Sequence, residues 1–189
     1  GKEYGVTNHA GRPSLEEAAA IVRVAADHGV RVIDTAAVYG KSERVLGQIL
    51  RGADDFRIVT KLPPLREPTI TSRQIELVKS AFERSLNRLG VSRVYGLLVH
   101  HPFDLLADGG DWLWEVMCDL QESGRVEKIG VSVYDDAQLV PILEEYEIDL
   151  VQLPLNVLDQ RALVSGRLDA LREAGIEVHA RSAFLQGTP

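Results

Sequence analysis

The chain has 189 residues, a formal net charge of -7 and 45% hydrophobic residues, enough apolar content for one packed core. The acidic balance, with no cluster of Lys and Arg, excludes a phosphate backbone as partner, so nucleic acid is not expected as a ligand. Cys118 is the only cysteine, which rules out an internal disulfide and a thiolate zinc site. Its neighbours Val116 and Met117 make it read as a small buried hydrophobe in a reducing compartment. There is no apolar run of about eighteen residues, and the opening Gly1-Lys2-Glu3-Tyr4-Gly5 lacks the profile of a secretory signal. A soluble, cytoplasmic protein without a membrane segment is expected.

The first helix is predicted over residues 14–28, opened by Ser14 and Glu17 as a capping box and closed by Gly29. A β-branched run over 31–35 follows and leads into Asp34-Thr35-Ala36-Ala37-Val38-Tyr39-Gly40. A second helix over 42–51 precedes a strand over 57–61, which ends in Val59-Thr60-Lys61 and exits into a proline-rich loop at 63–68. Over 71–89, Ile75, Val78, Phe82, Leu86 and Leu89 fall at helical spacing and mark a core-facing stripe, with Gly90 as its closing residue. The next strand, 95–100, ends in Leu98-Val99-His100. Helices over 112–123, 136–146 and 164–174 then alternate with strands over 128–132, 150–154 and 177–182, with Gly124 and Gly175 as further helix ends. Such alternation argues for βα units around a parallel sheet.

The strand ends carry the chemistry. A phenol gives up its proton near neutral pH only beside a cation, and a lysine can be that cation if a carboxylate holds it. Taken singly, Asp34 could merely satisfy a strand end and Tyr39 could be a half-buried aromatic. In a parallel barrel, however, all strand C-termini emerge on one face, which brings Asp34, Lys61 and His100 together beside Tyr39. Lys61 at the end of an apolar strand needs a partner such as Asp34, because an unpaired buried charge is costly. The group can polarise and protonate a carbonyl oxygen. A metal pair at His100-His101 is disfavoured, since adjacent strand residues point to opposite faces.

The series DTAxxYG, VTK, LxxHxP, GVS and VQ resembles the aldo-keto reductases, with the motifs in order along nearly the whole chain. The resemblance implies an α/β fold, a parallel (β/α)8 TIM barrel, with residues 1–189 as a single domain incomplete at both ends. Such a barrel takes about 250 residues. The family pattern puts one strand before the first helix and a strand and helix after the last element, and a parallel sheet without them would leave two raw edges.

The resemblance further implies an NADP-dependent oxidoreductase that reduces the carbonyl of a small aldehyde, ketone or sugar-like substrate, or oxidises the alcohol. Tyr39 would protonate the developing alkoxide, Lys61 would lower the phenol pKa, Asp34 would orient Lys61, and His100 would hydrogen-bond the carbonyl oxygen. Ser132 and Gln152 match the pair that holds the nicotinamide carboxamide, and Ser182 and Leu185 begin the loop along the pyrophosphate. Arg181 stands where many members carry an aromatic on the nicotinamide, and either stacks there through its planar guanidinium or points elsewhere. Val133 replaces a common asparagine and His101 a common tryptophan, which removes a carboxamide contact and alters the pocket wall. The basic residues that read an adenosine 2'-phosphate fall after Pro189 in the family pattern, so NADP rests on the resemblance and NAD stays open. Two other functions compete: a cofactor-binding regulatory subunit with little turnover, like the β subunits of potassium channels, and a metal-dependent barrel hydrolase.

Overall fold

A computed structural model describes residues 11–51 and 56–185. The expectations about the first residues and about the chain beyond Leu185 lie outside the described part. Six strands, β1 (Val32–Asp34), β2 (Arg57–Lys61), β3 (Val94–Val99), β4 (Val126–Ser132), β5 (Leu150–Pro154) and β6 (Glu177–Arg181), pair in parallel in sequence order. Between them run α1 (Leu15–Asp27), before β1, then α2 (Ser42–Ile49), α3 (Ser72–Leu89), α4 (Gly110–Glu122), α5 (Asp136–Glu145), α6 (Arg161–Val164) and α7 (Arg167–Glu173). None of these helices is long and apolar enough to cross a membrane.

The sheet is strongly curled. In a flat sheet β1 and β5 would lie about 19 Å apart, four strand spacings. Instead Gln152 Nε2 on β5 reaches Asp34 Oδ1 on β1 at 2.8 Å, and Tyr95 on β3 reaches Glu177 on β6 at 2.5 Å. The six strands are consecutive staves of a (β/α)8 barrel, as the βα alternation and the resemblance led us to expect.

Two apolar layers hold the staves. Outside, Leu97 and Val99 of β3 join Val78, Phe82 and Leu89 of α3 in a continuous core that also takes in β4, β5 and the other helices. Inside, Val59, Tyr95, Leu98 and Leu150 form a separate cluster, so β3 is buried along its whole length. Gly130 is obligatory in this arrangement, because a Cβ there would stand 1.7 Å from the Leu150 carbonyl oxygen. The Ser14–Glu17 capping box is formed, and Gly29, Gly90, Gly124 and Gly175 all take left-handed conformations. Cys118 is half-buried rather than buried, and burial followed by the nearby Glu122 and Asp119 charges pushes its thiol pKa up.

Three local features differ from the sequence reading. The helix expected over 164–174 is split, because Gly166 turns left-handed at φ 76° between α6 and α7. A 3-10 turn, Pro102–Asp104, follows β3, and α4 begins at Gly110 rather than at Trp112. Each change sits at a Gly or Pro, where local backbone geometry overrides apolar periodicity.

Below the inner apolar layer, at the N-terminal end of the strands, Glu177 accepts hydrogen bonds from Tyr95 Oη (2.5 Å), Lys128 Nζ (2.5 Å) and His179 Nε2 (2.7 Å). Burial alone would raise the Glu177 carboxyl pKa, but these donors outweigh it and hold it at about 2. Folding therefore favours the ionised form. The resulting stabilisation is complete above the ordinary value of 4.5 and is lost as the pH falls towards about 2. Melting temperatures of wild type and Glu177→Gln should differ most near neutrality and converge across that window; a gap that does not change with pH would remove Glu177 from the balance.

Candidate active site

The C-terminal ends of the strands carry the polar residues singled out from the sequence. Asp34 ends β1, and the chain turns at once so that Tyr39 N–H donates to the Ala36 carbonyl (3.0 Å) and Ser42 N–H to the Tyr39 carbonyl (3.1 Å). Thr35 Oγ1 donates to Ser42 Oγ at 3.1 Å across the same turn. Behind it, the buried Glu43 of α2 accepts from Thr60 Oγ1 of β2 (2.7 Å) and from Arg88 Nε of α3 (2.7 Å). This network, invisible in the sequence motifs, anchors α2 and with it the position of Tyr39.

Lys61, at the end of β2, is 1% exposed. Its ammonium donates to both oxygens of Asp34 at 2.7 Å and to the Thr35 carbonyl at 2.9 Å, which uses all three of its hydrogens. Nζ lies 5.0 Å from the centroid of the Tyr39 ring. Burial pushes the Lys61 pKa below the ordinary lysine range; the Asp34 charge and hydrogen bonds oppose this, and the Arg181 charge adds to it. Asp34, by contrast, is partly open to solvent, with 38% of its side chain exposed.

His100 follows β3 and meets Tyr39 edge to face, with ring centroids 5.7 Å apart and planes at 79°. Burial, then the Lys61 charge against the opposing pull of Asp34, then Arg181 and Arg66, bring its pKa down to about 4. At neutral pH the imidazole is uncharged and offers one N–H donor and one acceptor. Its Nδ1 is buried with no hydrogen-bond partner in the protein. His101 turns away: Nδ1 sits 3.1 Å from Asp104 Oδ1, and the ring stacks edge-on against Phe103.

Ser132 on β4 and Gln152 on β5 face each other in register, both buried, with Ser132 Oγ donating to Gln152 Oε1 at 3.3 Å. Gln152 also donates to Asp34, so the structure joins the two sets of residues that the sequence assigned to separate tasks. Arg181 at the end of β6 lies over the ring of Tyr134, 3.9 Å from its centroid, and its Nη2 donates to the Val133 carbonyl at 2.9 Å. Its Nε is buried without a partner. Ser182 and Leu185 have positive φ, 58° and 49°, and Leu185 N–H donates to the Ser182 carbonyl at 3.0 Å, so the chain turns sharply there. Val133 itself is buried in the outer core.

Sequence reasoning missed Asp104. Its carboxylate, 2% exposed, accepts from Leu65 N–H and Arg66 N–H at 2.8 Å each and so pins the loop after β2, where Arg66 adopts φ 56°. The signal was available in His-Pro-x-Asp: a carboxylate two residues after a proline that opens a turn. Among the described residues no group of three or more His, Cys, Asp or Glu is placed to hold a metal ion.

The sequence profile of the aldo/keto reductase family matches residues 4–188. The chain is 31% identical over 136 residues to 2,5-diketo-D-gluconic acid reductase B of Corynebacterium, covering 69% of this chain and 46% of that protein. It is 30% identical over 186 residues to aldo-keto reductase AKR2E4 of Bombyx mori, covering 90% of this chain and 58% of that one. The crystal structure of AKR2E4 in complex with NADP superposes with a TM-score of 0.69, covering 94% of this chain and 59% of that one at 24% identity. An aldo/keto reductase structure from Brucella melitensis gives a TM-score of 0.69 at 31% identity, covering 90% of this chain and 65% of that one. The chain thus spans about half the length of the curated relatives it matches. It belongs to the aldo/keto reductase family.

Proposed function

We propose that the protein is a nicotinamide-dependent oxidoreductase that reduces the carbonyl of a small aldehyde, ketone or sugar-like substrate, or oxidises the corresponding alcohol, with Tyr39 moving the oxygen-bound proton. The observation that carries this reading is the burial of Lys61 beneath the Tyr39 ring with every ammonium hydrogen committed to Asp34 and Thr35. A cation fixed in that way has no freedom to seek solvent, and its field acts on the phenol, favouring phenolate over phenol. His100, neutral at pH 7, can donate a hydrogen bond to a carbonyl oxygen without competing for its proton.

The residues present fit a nicotinamide. Ser132 and Gln152 set a hydroxyl and a primary amide side by side in a buried position, the donors and acceptors that a carboxamide needs. Arg181 Nε and His100 Nδ1 add two buried polar atoms without protein partners on the same face. A bound cofactor would supply the hydride. The chain's residues would orient the carbonyl and deliver the proton. Ser182 and Leu185, in the sharp turn after β6, are proposed to lie along the pyrophosphate. Arg181 is proposed as a contact to the nicotinamide end of the cofactor, held by Tyr134 and the Val133 carbonyl. NADP is favoured over NAD by the NADP complex of the related Bombyx mori enzyme.

The test is to follow NADPH and NADH absorbance at 340 nm with a panel of aldehydes, ketones and aldoses. Aldehyde-dependent oxidation of NADPH is expected. Tight cofactor binding with no turnover on any substrate would instead favour the regulatory-subunit reading.

A further inference from the structure

Gln152 belongs to two arrangements at once. Its amide oxygen accepts from Ser132 Oγ, while its amide nitrogen donates 2.8 Å to Asp34 Oδ1, a residue 118 positions earlier on the far side of the barrel. The orientation is fixed by chemistry: a carboxylate only accepts, so the amide edge that faces Asp34 must be the NH2. Asp34 Oδ1 therefore takes two donors, Lys61 Nζ at 2.7 Å and Gln152 Nε2, and Oδ2 takes Lys61 alone. Gln152 is 4% exposed while Asp34 is partly open to solvent, so the amide is the fixed donor on a carboxylate that mobile water also reaches. One amide hydrogen of Gln152 remains for a ligand oxygen.

We propose that Gln152 is a positioning residue for the proton-moving group, a cross-barrel strut that holds Asp34 against Lys61 from the opposite wall and so ties the cofactor end of the site to the cation beneath Tyr39. The assignment rests on the reductase reading for its purpose, though not for its geometry. Without the strut, Asp34 loses a donor that draws off part of its negative charge. The carboxylate then neutralises Lys61 more fully, and the phenol feels less of the cation. Among the described residues, the Arg181 charge at the end of β6 also acts on Lys61, and His100 after β3 feels both Lys61 and Asp34; neither hydrogen-bonds to Gln152.

The experiment is a spectrophotometric titration of phenolate at 295 nm on the protein without cofactor. Each protein is subtracted from its own Tyr39→Phe counterpart so that only Tyr39 is read. Relative to wild type, Gln152→Leu should move the Tyr39 midpoint up by about half a pH unit, a fraction of the worth of a hydrogen bond to a carboxylate because the effect reaches the phenol only through Asp34 and Lys61. Gln152→Glu sets a second carboxylate opposite Asp34 and should move it further in the same direction, which keeps the test open if the leucine variant folds poorly. Ser132→Ala, which does not touch Asp34, should leave it unchanged. A residue that served only the carboxamide would weaken cofactor binding and leave the cofactor-free midpoint alone, so unchanged midpoints in both Gln152 variants would overturn the proposal. If wild type reduces no carbonyl while the midpoint shifts as stated, the reductase reading fails and the strut stands.

Discussion

Replacing Tyr39 by Phe is expected to lower the turnover number for carbonyl reduction by about 10²- to 10⁴-fold, the usual worth of a positioned general acid. The affinity for NADPH should stay within about twofold, because on the proposed reading the phenol acts only as the alkoxide develops and contributes little to ground-state binding. The substitution leaves the bonds that shape the turn in place. The turn that carries Tyr39 is held by backbone hydrogen bonds at Ala36 and Ser42 and by the buried Glu43 behind α2, none of which involves the phenol oxygen. The edge-to-face contact with His100 survives in phenylalanine, so the pocket wall keeps its shape. Stopped-flow reduction of an aldehyde, together with fluorescence titration of NADPH, reads the two quantities separately. Loss of both by the same factor would mean that Tyr39 shapes the cofactor site rather than the proton transfer.

The barrel was legible because its determinants are local. The strands are short apolar runs and α3 carries the stripe Ile75–Val78–Phe82–Leu86; that stripe and most of β2 to β5 are buried as the spacing requires, whereas α1 buries none of its residues and β1 and β6 are only partly covered. The gathering of Asp34, Lys61 and His100 was legible for the same reason: parallel strands all end on one face, so a residue at a strand end has a known location once the strand is found. What could not be read depends on curvature. Whether Gln152 reaches Asp34, or Glu177 reaches Tyr95 82 positions away, is decided by how tightly the sheet curls, and no sequence period encodes that. The Asp104 cradle under the loop after β2 likewise joins residues 38 and 39 positions apart. Arg181 marks another limit: the sequence left open where its guanidinium goes, and the Val133 carbonyl and the Tyr134 ring decide it.

Lys61→Met should lower the rate in both directions and move to higher pH the limb of activity governed by the Tyr39 phenol. In the oxidation direction that limb is the acidic one, because phenolate is the active form; in the reduction direction it is the alkaline one, because phenol is. The sign follows from electrostatics: a cation 5.0 Å from the ring centroid favours the phenolate, and its removal leaves Asp34, which opposes it. The apolar floor below, built from Val59, Leu98 and Leu150, limits screening by water and makes the loss larger than at a surface. Methionine approximates the length of the lysine stem, but the single change leaves the partly buried Asp34 carboxylate without its cation, with Gln152 as its remaining side-chain donor among the described residues, which is a cost to folding in its own right. The double variant Asp34→Asn, Lys61→Met removes both charges together and separates the two effects. It should recover thermal stability relative to Lys61→Met and still show low activity with a displaced pH profile. A double variant with wild-type rate and profile would take the ion pair out of the reaction and leave Lys61 as a structural residue only.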